Sequence, residues 1–198
     1  MSAAPTLAID TSGPRLALAL ASGGQVLAIH VEDLARGHAE RLFDALAVLL
    51  DEAGCVVGDI GRVAALSGPG SFTGLRVGLA AARGLALPRR LTVIGVPTLL
   101  ALSLSRQGPH AIVLDARRGE AYIQHFSDTA CPLSEPALTG LDAALAQAGA
   151  DGPDSPLCDI GAVAVFAGAC APKDFPPVPL YIRPADAKPQ TRGKVARQ

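Results

Sequence analysis

Residues 66–87 read LSGPGSFTGLRVGLAAARGLAL, which is the end of an apolar strand, a glycine-rich loop and a segment that is almost uncharged. The last part has helical composition, and its only charged side chains are Arg76 and Arg83. A helix that is apolar nearly all round has to be covered on most sides. Small residues one turn apart would allow a second helix to approach closely: Gly74, Gly78 and Ala82. The pattern is compatible with an intramolecular sandwich and equally with a surface that binds another molecule.

The loop that precedes this helix has the composition of an anion-binding loop. Its glycines would allow a ligand to approach the backbone, and the helix that follows offers its positive end. The candidate residues are Gly68, Gly70 and Ser71, and Thr73 is expected to cap the helix. The loop lacks the lysine of a Walker motif, and its glycine spacing is not that of G-x-G-x-x-G. A tight strand-to-helix connection explains the same glycines, so both interpretations stay open.

A second candidate site lies near the start of the chain. A short apolar strand ends at Asp10, and the turn Asp10-Thr11-Ser12 has backbone N–H groups and hydroxyls that suit a phosphate. The Asp10 carboxylate would hold Mg²⁺ through water. A hairpin turn with local hydrogen bonds explains these three residues equally simply. Apolar runs at 15–20 and 25–31 complete a predicted three-stranded meander.

The remaining elements are predicted from periodicity and from turn residues. A helix is expected from a cap at Asp33 to about Ala53, with an apolar face of leucines. Further predictions are a strand at 62–66, a strand at 91–96, a helix from Pro97 to about Arg106, a helix at 138–150 and a buried strand at 162–167. Prolines exclude regular structure over most of the last 27 residues.

Two segments repeat one pattern. LAIDTSGPRLALAL (7–20) and VLDARRGEAYIQHF (113–126) each read as a strand, a terminal aspartate, a turn with glycine and a second strand. This similarity suggests a duplicated architecture. We therefore expect two lobes, residues 1–105 with the two long helices and residues 106–198 with a proline-rich basic tail.

Composition and charge limit the function classes. Hydrophobic residues make up 49% of the 198 residues and the net charge is −1, which is typical of a globular protein without the basic field of a protein that binds nucleic acid alone. Residues 183–198 are locally basic and are most simply a solvated end. Neither a signal peptide nor a membrane-length apolar run is visible, so we expect a cytoplasmic protein without a membrane partner. The four cysteines and four histidines form neither C-x-x-C nor H-x-x-x-H, and no metal site is predicted.

Several of these stretches resemble the TsaB family, the noncatalytic partners in bacterial synthesis of threonylcarbamoyladenosine in tRNA. The resemblance covers the first predicted lobe almost continuously and the second in patches. It rests on LAIDTS (7–12), RGHAERLF (36–43), LSGPGSFTGLRVGLAAARGLA (66–86), GVPTLLALS (95–103), LDARRGEAYIQHF (114–126) and PLYIRPADAKPQ (179–190).

The resemblance implies an α/β, two-lobed fold of the actin/Hsp70/sugar-kinase type, here with a shortened second lobe. It implies a heterodimer with the catalytic paralogue TsaD, which the ATPase TsaE joins, and contact with tRNA only through that complex. Pairing in the family uses two helices that correspond to about 34–53 and 74–87, and homodimers form through the same helices. The expected contact residues on these helix faces are Leu42, Leu46, Leu49, Leu75, Arg76, Leu79 and Ala82.

The resemblance also implies an absence of catalysis. The catalytic paralogue binds its metal through H-x-x-x-H in the segment that matches 95–103, where this sequence has no histidine. No catalytic residue, metal ligand or cofactor is therefore expected. The adenosine loop of ligand-binding members would correspond to 167–170, with the single glycine Gly168. Asp10, Thr11, Ser12, Gly68, Gly70 and Ser71 would then be vestiges of phosphate loops, and the alternative is a nucleotide-binding, ATPase- or kinase-like enzyme of the same fold.

Overall fold

The computed structural model describes residues 3–183, which form two β-sheets with helices packed on them. The first sheet has the strand order β3-β2-β1-β4-β5. Its strands are β1 (Thr6–Asp10), β2 (Arg15–Ser22), β3 (Gln25–Asp33), β4 (Arg62–Gly68) and β5 (Thr92–Pro97). The antiparallel pairing of β1, β2 and β3 confirms the predicted meander. β4 lies parallel to β1, and β5 lies parallel to β4. Parallel neighbours need crossover connections, which helices supply.

Those crossover helices are α1 (His38–Glu52) and α2 (Phe72–Ala86). Both pack on one face of the first sheet, where the buried leucines of α1 and Leu79 of α2 join Leu7 and Ile9 of β1 in one core cluster. Ala8, between these two residues, points to the other face and belongs to a second cluster. This alternation is what a strand with both faces covered requires.

The opposite face of the first sheet carries α3 (Thr98–Ser103) and α5 (Ile160–Ala169). The strands show small side chains to these helices: Ala8, Ala17, Ala19, Ala21 and Ala64. Small residues on the sheet let a helix backbone come close. α5 is suited to this buried position, since its sequence IGAVAVFAGA has no charged residue on any face.

The second sheet contains β6 (His110–Arg117), β7 (Glu120–Asp128), β8 (Cys131–Pro132) and β9 (Ala137–Gly140), with α4 (Leu141–Ala148) packed on it. The β6–β7 hairpin is the counterpart of the β1–β2 hairpin, so the repeated pattern in the sequence corresponds to repeated structure. A domain boundary near residue 105 stays a prediction. α5 follows the second sheet in the chain and nevertheless packs on the first.

The predicted strand at 162–167 is wrong, because these residues belong to α5. A short buried apolar run does not distinguish a strand from a helix by periodicity. The ends of the helix carry the signal that was missed. Asp159 caps its start by accepting a hydrogen bond from the Ala162 N–H at 3.0 Å. At the other end Arg62 donates to the Ala167 carbonyl at 2.7 Å and to the Cys170 carbonyl at 3.1 Å.

Three predicted helix starts are also corrected. Asp33 is the last residue of β3, so α1 begins at His38 after Gly37, whose φ of 86° ends the turn. Ser71, and not Thr73, caps α2, since its Oγ accepts a hydrogen bond from the Gly74 N–H at 3.3 Å. The helix predicted from 138 begins at Leu141, because the residues before it pair with β7 as strand β9.

Residues 172–183, here called the strap, contain one short 3-10 helix (Pro172–Asp174) and otherwise follow the irregular path that their prolines predict. The Gly95 N–H of β5 donates to the Phe175 carbonyl at 3.0 Å, and the Leu180 N–H donates to the Ser67 carbonyl at 2.7 Å. Arg183 ends the strap with an ion pair to Glu120 of β7 at 2.6 Å. The strap thereby links the two sheets. The predicted basic tail beyond Arg183 lies outside the described residues. No helix in residues 3–183 has the length and apolar character needed to span a membrane.

Candidate functional site

The structure brings the two candidate loops into direct contact. Thr11 Oγ1 donates a hydrogen bond to the Gly74 carbonyl at 2.7 Å, although 63 residues separate them. The Ser71 N–H donates to the Ser12 carbonyl at 2.8 Å. The turn after β1 and the loop before α2 therefore form one hydrogen-bonded unit at the end of the first sheet.

This contact explains why glycine occurs at the start of α2. A Cβ on Gly74 would lie 1.9 Å from the Thr11 carbonyl oxygen, and one on Gly78 would lie 2.7 Å from Thr11 Oγ1. A Cβ on Gly70 would lie 2.9 Å from the Ser12 Cβ. The absence of side chains at these glycines leaves room for the Asp10–Ser12 turn. The prediction that the small-residue row receives a second helix is therefore wrong: it faces the turn and the sheet of its own chain.

Gly68 meets the strap instead of a ligand. Its φ is +114°, which favours glycine, and a Cβ there would lie 2.9 Å from the Leu180 carbonyl oxygen. Close packing within the chain is therefore sufficient to explain the glycines at 68, 70, 74 and 78.

The carboxylate of Asp10 is buried, and both of its oxygens have partners within the chain. Oδ1 accepts hydrogen bonds from the Ser12 N–H at 2.8 Å and the Ser12 hydroxyl at 2.7 Å. Oδ2 lies 3.5 Å from the Cys158 thiol, which donates to it. Burial, and then the charge of Asp10, raise the pKa of the Cys158 thiol. A phosphate or Mg²⁺ would have to displace these bonds, and its binding at the predicted residues stays a prediction.

A cleft of about 800 Å³ opens beside this unit, between the two sheets. Its walls come from Ser12 and its neighbours, the start of α1, the loop at 70–74 and the end of β6. The cations that line it are Arg36 and Arg117, and His38 also contributes. His38 Nε2 is a buried nitrogen without a hydrogen-bond partner in the described chain. These three residues lie in the stretches RGHAERLF (36–43) and LDARRGEAYIQHF (114–126), but the sequence did not mark any of them as a candidate site residue.

The predicted adenosine loop is not part of this cleft. Gly168 lies in the last turn of α5, and a Cβ there would lie 3.3 Å from Thr6 Oγ1 of β1. The loop was expected after a strand at 162–167. Because those residues form α5, residues 167–170 are the end of a helix and not a loop after a strand. Among residues 3–183 there is no cluster of three side chains suited to a metal ion.

The predicted partner-contact residues divide into one exposed residue and six core residues. The six that are buried are Leu42, Leu46, Leu49, Leu79 and Ala82, all in the cluster shared by α1, α2 and β1, and Leu75, which belongs to the other core cluster. The expectation that these six line an exposed surface is therefore wrong. Their periodicity marked the core-facing side of each helix, which a sequence pattern does not distinguish from a docking side.

The outward sides of the two helices carry a different apolar set, here called the outer helix face. On α1 it comprises Phe43, with 57% of its surface exposed, and Ala47. On α2 it comprises Ala80 and Gly84, one turn apart, and Leu87 follows at the end of the helix with 77% exposed. A Cβ on Gly84 would meet no atom within 4 Å. Apolar side chains are thus exposed on two helices that share one core cluster.

The two arginines of α2 both bind the strap. The Arg76 guanidinium lies 3.6 Å from the centre of the Phe72 ring, and its Nη2 donates to the Tyr181 hydroxyl at 3.3 Å. Arg83, seven residues later on the same side, donates to the Pro177 carbonyl. The sequence spacing correctly placed both arginines on one side of the helix. Their partners lie about a hundred residues away and could not be predicted locally.

Comparison with known proteins identifies relatives of one kind. The family model described as "TsaD: tRNA N6-adenosine threonylcarbamoyltransferase" matches residues 25–154. The chain is 39% identical over 121 residues to "tRNA threonylcarbamoyladenosine biosynthesis protein TsaB" of Escherichia coli, which covers 59% of this chain and 52% of that protein. It is 35% identical over 198 residues to an uncharacterised Mycobacterium bovis protein, covering 92% and 93% of the two chains.

The chain therefore spans about half the length of the E. coli relative and nearly all of the mycobacterial one. Among solved structures, "YeaZ from Pseudomonas aeruginosa" superposes with a TM-score of 0.72 at 25% identity, covering 90% of this chain and 99% of that one. The likeness agrees with the predicted α/β fold of the actin/Hsp70/sugar-kinase type.

Proposed function

The chain belongs to the TsaB family, and from that premise we propose that it is the noncatalytic subunit of a complex that forms threonylcarbamoyladenosine in tRNA. In this proposal it forms a heterodimer with the catalytic paralogue TsaD, and the ATPase TsaE joins them. The substrate is the adenosine beside the anticodon of tRNA, which is modified only within the complex. The relatives named TsaB are described as proteins of tRNA threonylcarbamoyladenosine biosynthesis.

The observation that carries the proposal is the outer helix face. Phe43 and Leu87 expose more than half of their surface, although the inward sides of α1 and α2 are fully used by the core. Large apolar side chains left exposed on two neighbouring helices are a feature of interaction surfaces. Ala80 and Gly84 add a flat stripe on which the helix of a partner can lie closely. A homodimer through the same face is part of the proposal for the unbound chain.

The noncatalytic role is supported by a difference from the paralogue, which binds its metal through two histidines. The matching segment here is the end of β5 and α3, and it has no histidine. The histidines of the chain are at 30, 38, 110 and 125, and none are four residues apart. The metal-dependent transfer step is therefore assigned to the partner.

The proposal is tested by light scattering on a sizing column, with this chain alone and mixed with its TsaD paralogue. We expect a heterodimer with the unchanged chain and none with Gly84→Arg, because an arginine there projects from the outer helix face. Gly84 has no neighbour that the new side chain would strike, so folding is preserved. Gly152→Arg is the matched control, since Gly152 is an exposed loop glycine with equally open surroundings.

A modification assay completes the test. Threonylcarbamoyladenosine formation should require the paralogue, should be lost with Gly84→Arg and should be retained with Gly152→Arg. Modification of tRNA by this chain alone would contradict the noncatalytic assignment. A heterodimer that tolerates Gly84→Arg would place the contact elsewhere than on the outer helix face.

A further inference from the structure

A small exposed group of side chains, here called the aromatic–arginine cluster, lies where the strap crosses the start of α2. It consists of Phe72, Arg76 and Tyr181. The ring centres of Phe72 and Tyr181 are 6.1 Å apart at an interplanar angle of 37°. Arg76 lies over the Phe72 ring and donates to the Tyr181 hydroxyl. The three side chains hold one another in place, so the cluster is organised before any ligand arrives.

The cluster is not explained by folding. Phe72 and Tyr181 expose 57% and 55% of their surface and belong to none of the core clusters. Phe72 is the first residue of α2 and lies outside the buried side of this helix. The chain has only five phenylalanines and two tyrosines, so two exposed rings that meet on the surface are a concentration of a scarce residue type.

The stretch of sequence that contains α2 is rich in arginine, in a chain whose net charge is −1, and Arg76 and Arg83 of this stretch lie beside the strap. No acidic residue occurs between Asp59 and Asp115, whereas that stretch contains six arginines: Arg62, Arg76, Arg83, Arg89, Arg90 and Arg106. Helix α1 has the opposite character, with four acidic residues and one arginine over its length. Charge is therefore separated between the two helices, and an anionic partner is directed to α2 and the strap.

The chain beyond the strap adds further positive charge by its sequence. Residues 184–198 contain four basic residues against Asp186: Lys188, Arg192, Lys194 and Arg197. The first of them, Lys188, is seven residues after Tyr181 in the sequence. Basic residues therefore follow the cluster closely in the sequence.

Proteins bind single-stranded nucleic acid through exposed aromatic rings together with arginine. Bases stack on the rings, and cations neutralise the phosphates. A base in a duplex cannot stack in this way, because its faces are already covered by its neighbours. We propose that the aromatic–arginine cluster binds an unpaired segment of RNA, with a base on the Phe72 or Tyr181 ring and phosphates near Arg76 and Arg83. The inference rests on the proposed function, in which tRNA is the substrate.

The cluster and the outer helix face occupy neighbouring stripes of α2 that share no residue. By the helical repeat, Phe72, Arg76 and Arg83 form one stripe on the strap side, and Gly84 is turned away from it by roughly a quarter of a turn. Val77 and Ala81, further round, pack toward the core cluster that contains α1. RNA contact and partner contact can therefore be tested by separate variants.

The test measures fluorescence anisotropy of two labelled probes, an unstructured RNA of about ten nucleotides and an RNA duplex of similar length. Each is titrated with the full chain and with its heterodimer. We expect the double variant Phe72→Ala/Tyr181→Ala to bind the single strand at least about tenfold more weakly, from the usual contribution of base stacking. Duplex binding should not change. Phe72→Tyr should retain binding, because it keeps the ring.

Leu133→Ala is the control, since Leu133 exposes 67% of its surface and belongs neither to the cluster nor to the outer helix face. It should leave RNA binding unchanged. Arg76→Gln should weaken both probes and should reduce the dependence of log affinity on log salt by about 0.7–0.9, the value for one phosphate contact.

The outcomes separate this inference from the proposed function. If the aromatic variants leave single-strand binding unchanged in both the chain and the heterodimer, the inference is wrong. A heterodimer that still forms in that case supports the proposed function. If the same variants abolish the heterodimer and not RNA binding, the cluster is a protein contact and the inference is overturned. A selective loss of single-strand binding with an intact heterodimer supports it.

Discussion

Gly74 and Gly84 are ten residues apart on α2 and have opposite surroundings. Gly74 lies so close to the Thr11 carbonyl that a methyl group would not fit between them. Gly84 faces solvent. We expect Gly74→Ala to lower the free energy of unfolding by about 1–3 kcal/mol or more, because the turn or the helix must move. Gly84→Ala should raise it by about 0.5–1 kcal/mol, from the lower conformational entropy of alanine in the unfolded chain.

Urea unfolding followed by circular dichroism compares the two variants within one helix. Equal effects would mean that α2 is not held against the Asp10–Ser12 turn. The sequence showed that glycine is frequent here, but it did not show which glycine is crowded. That distinction depends on Thr11, which lies 63 residues earlier in the chain than Gly74.

At the scale of elements, α5 is the clearest case in which the sequence pattern was insufficient. Its apolar residues suit a buried strand and a buried helix equally, and tertiary packing decides between them. The alanine-rich face of the first sheet accepts a helix at short distance. The Asp159 cap and the Arg62 side chain then satisfy the backbone groups at its two ends.

Asp159→Ala tests the cap of α5 directly. We expect a loss of about 1 kcal/mol in the free energy of unfolding, since the Ala162 N–H loses its acceptor. Asp151→Ala is the control, because Asp151 is exposed in a loop and has no cap role. The same thermal or urea unfolding assay serves both. An Asp159 variant as stable as the control would argue against a capped helix at this position.

At the scale of the whole molecule, the cleft between the sheets is where a nucleotide-binding enzyme of this fold would hold its ligand. The polar groups of Asp10, Ser12 and Ser71 are bonded to one another or to α2. We therefore expect calorimetry to detect no saturable heat from Mg-ATP up to millimolar concentration. Saturable heat that disappears in Arg36→Gln would instead show that the cleft binds the nucleotide and would favour the enzyme alternative.

Local sequence patterns were sufficient to predict the strands of the first sheet, the two long helices, the repeated hairpin and the family, because strand alternation, turn residues and the helical repeat are local properties. The sequence also located the Asp10–Ser12 turn and the glycine loop, without indicating that they bind each other. The tertiary structure alone decided which side of α1 and α2 is core, that α5 is a helix, and that Tyr181 meets Phe72 and Arg76. These outcomes depend on contacts between residues far apart in the chain, and a local pattern carries no information about the partner that covers it.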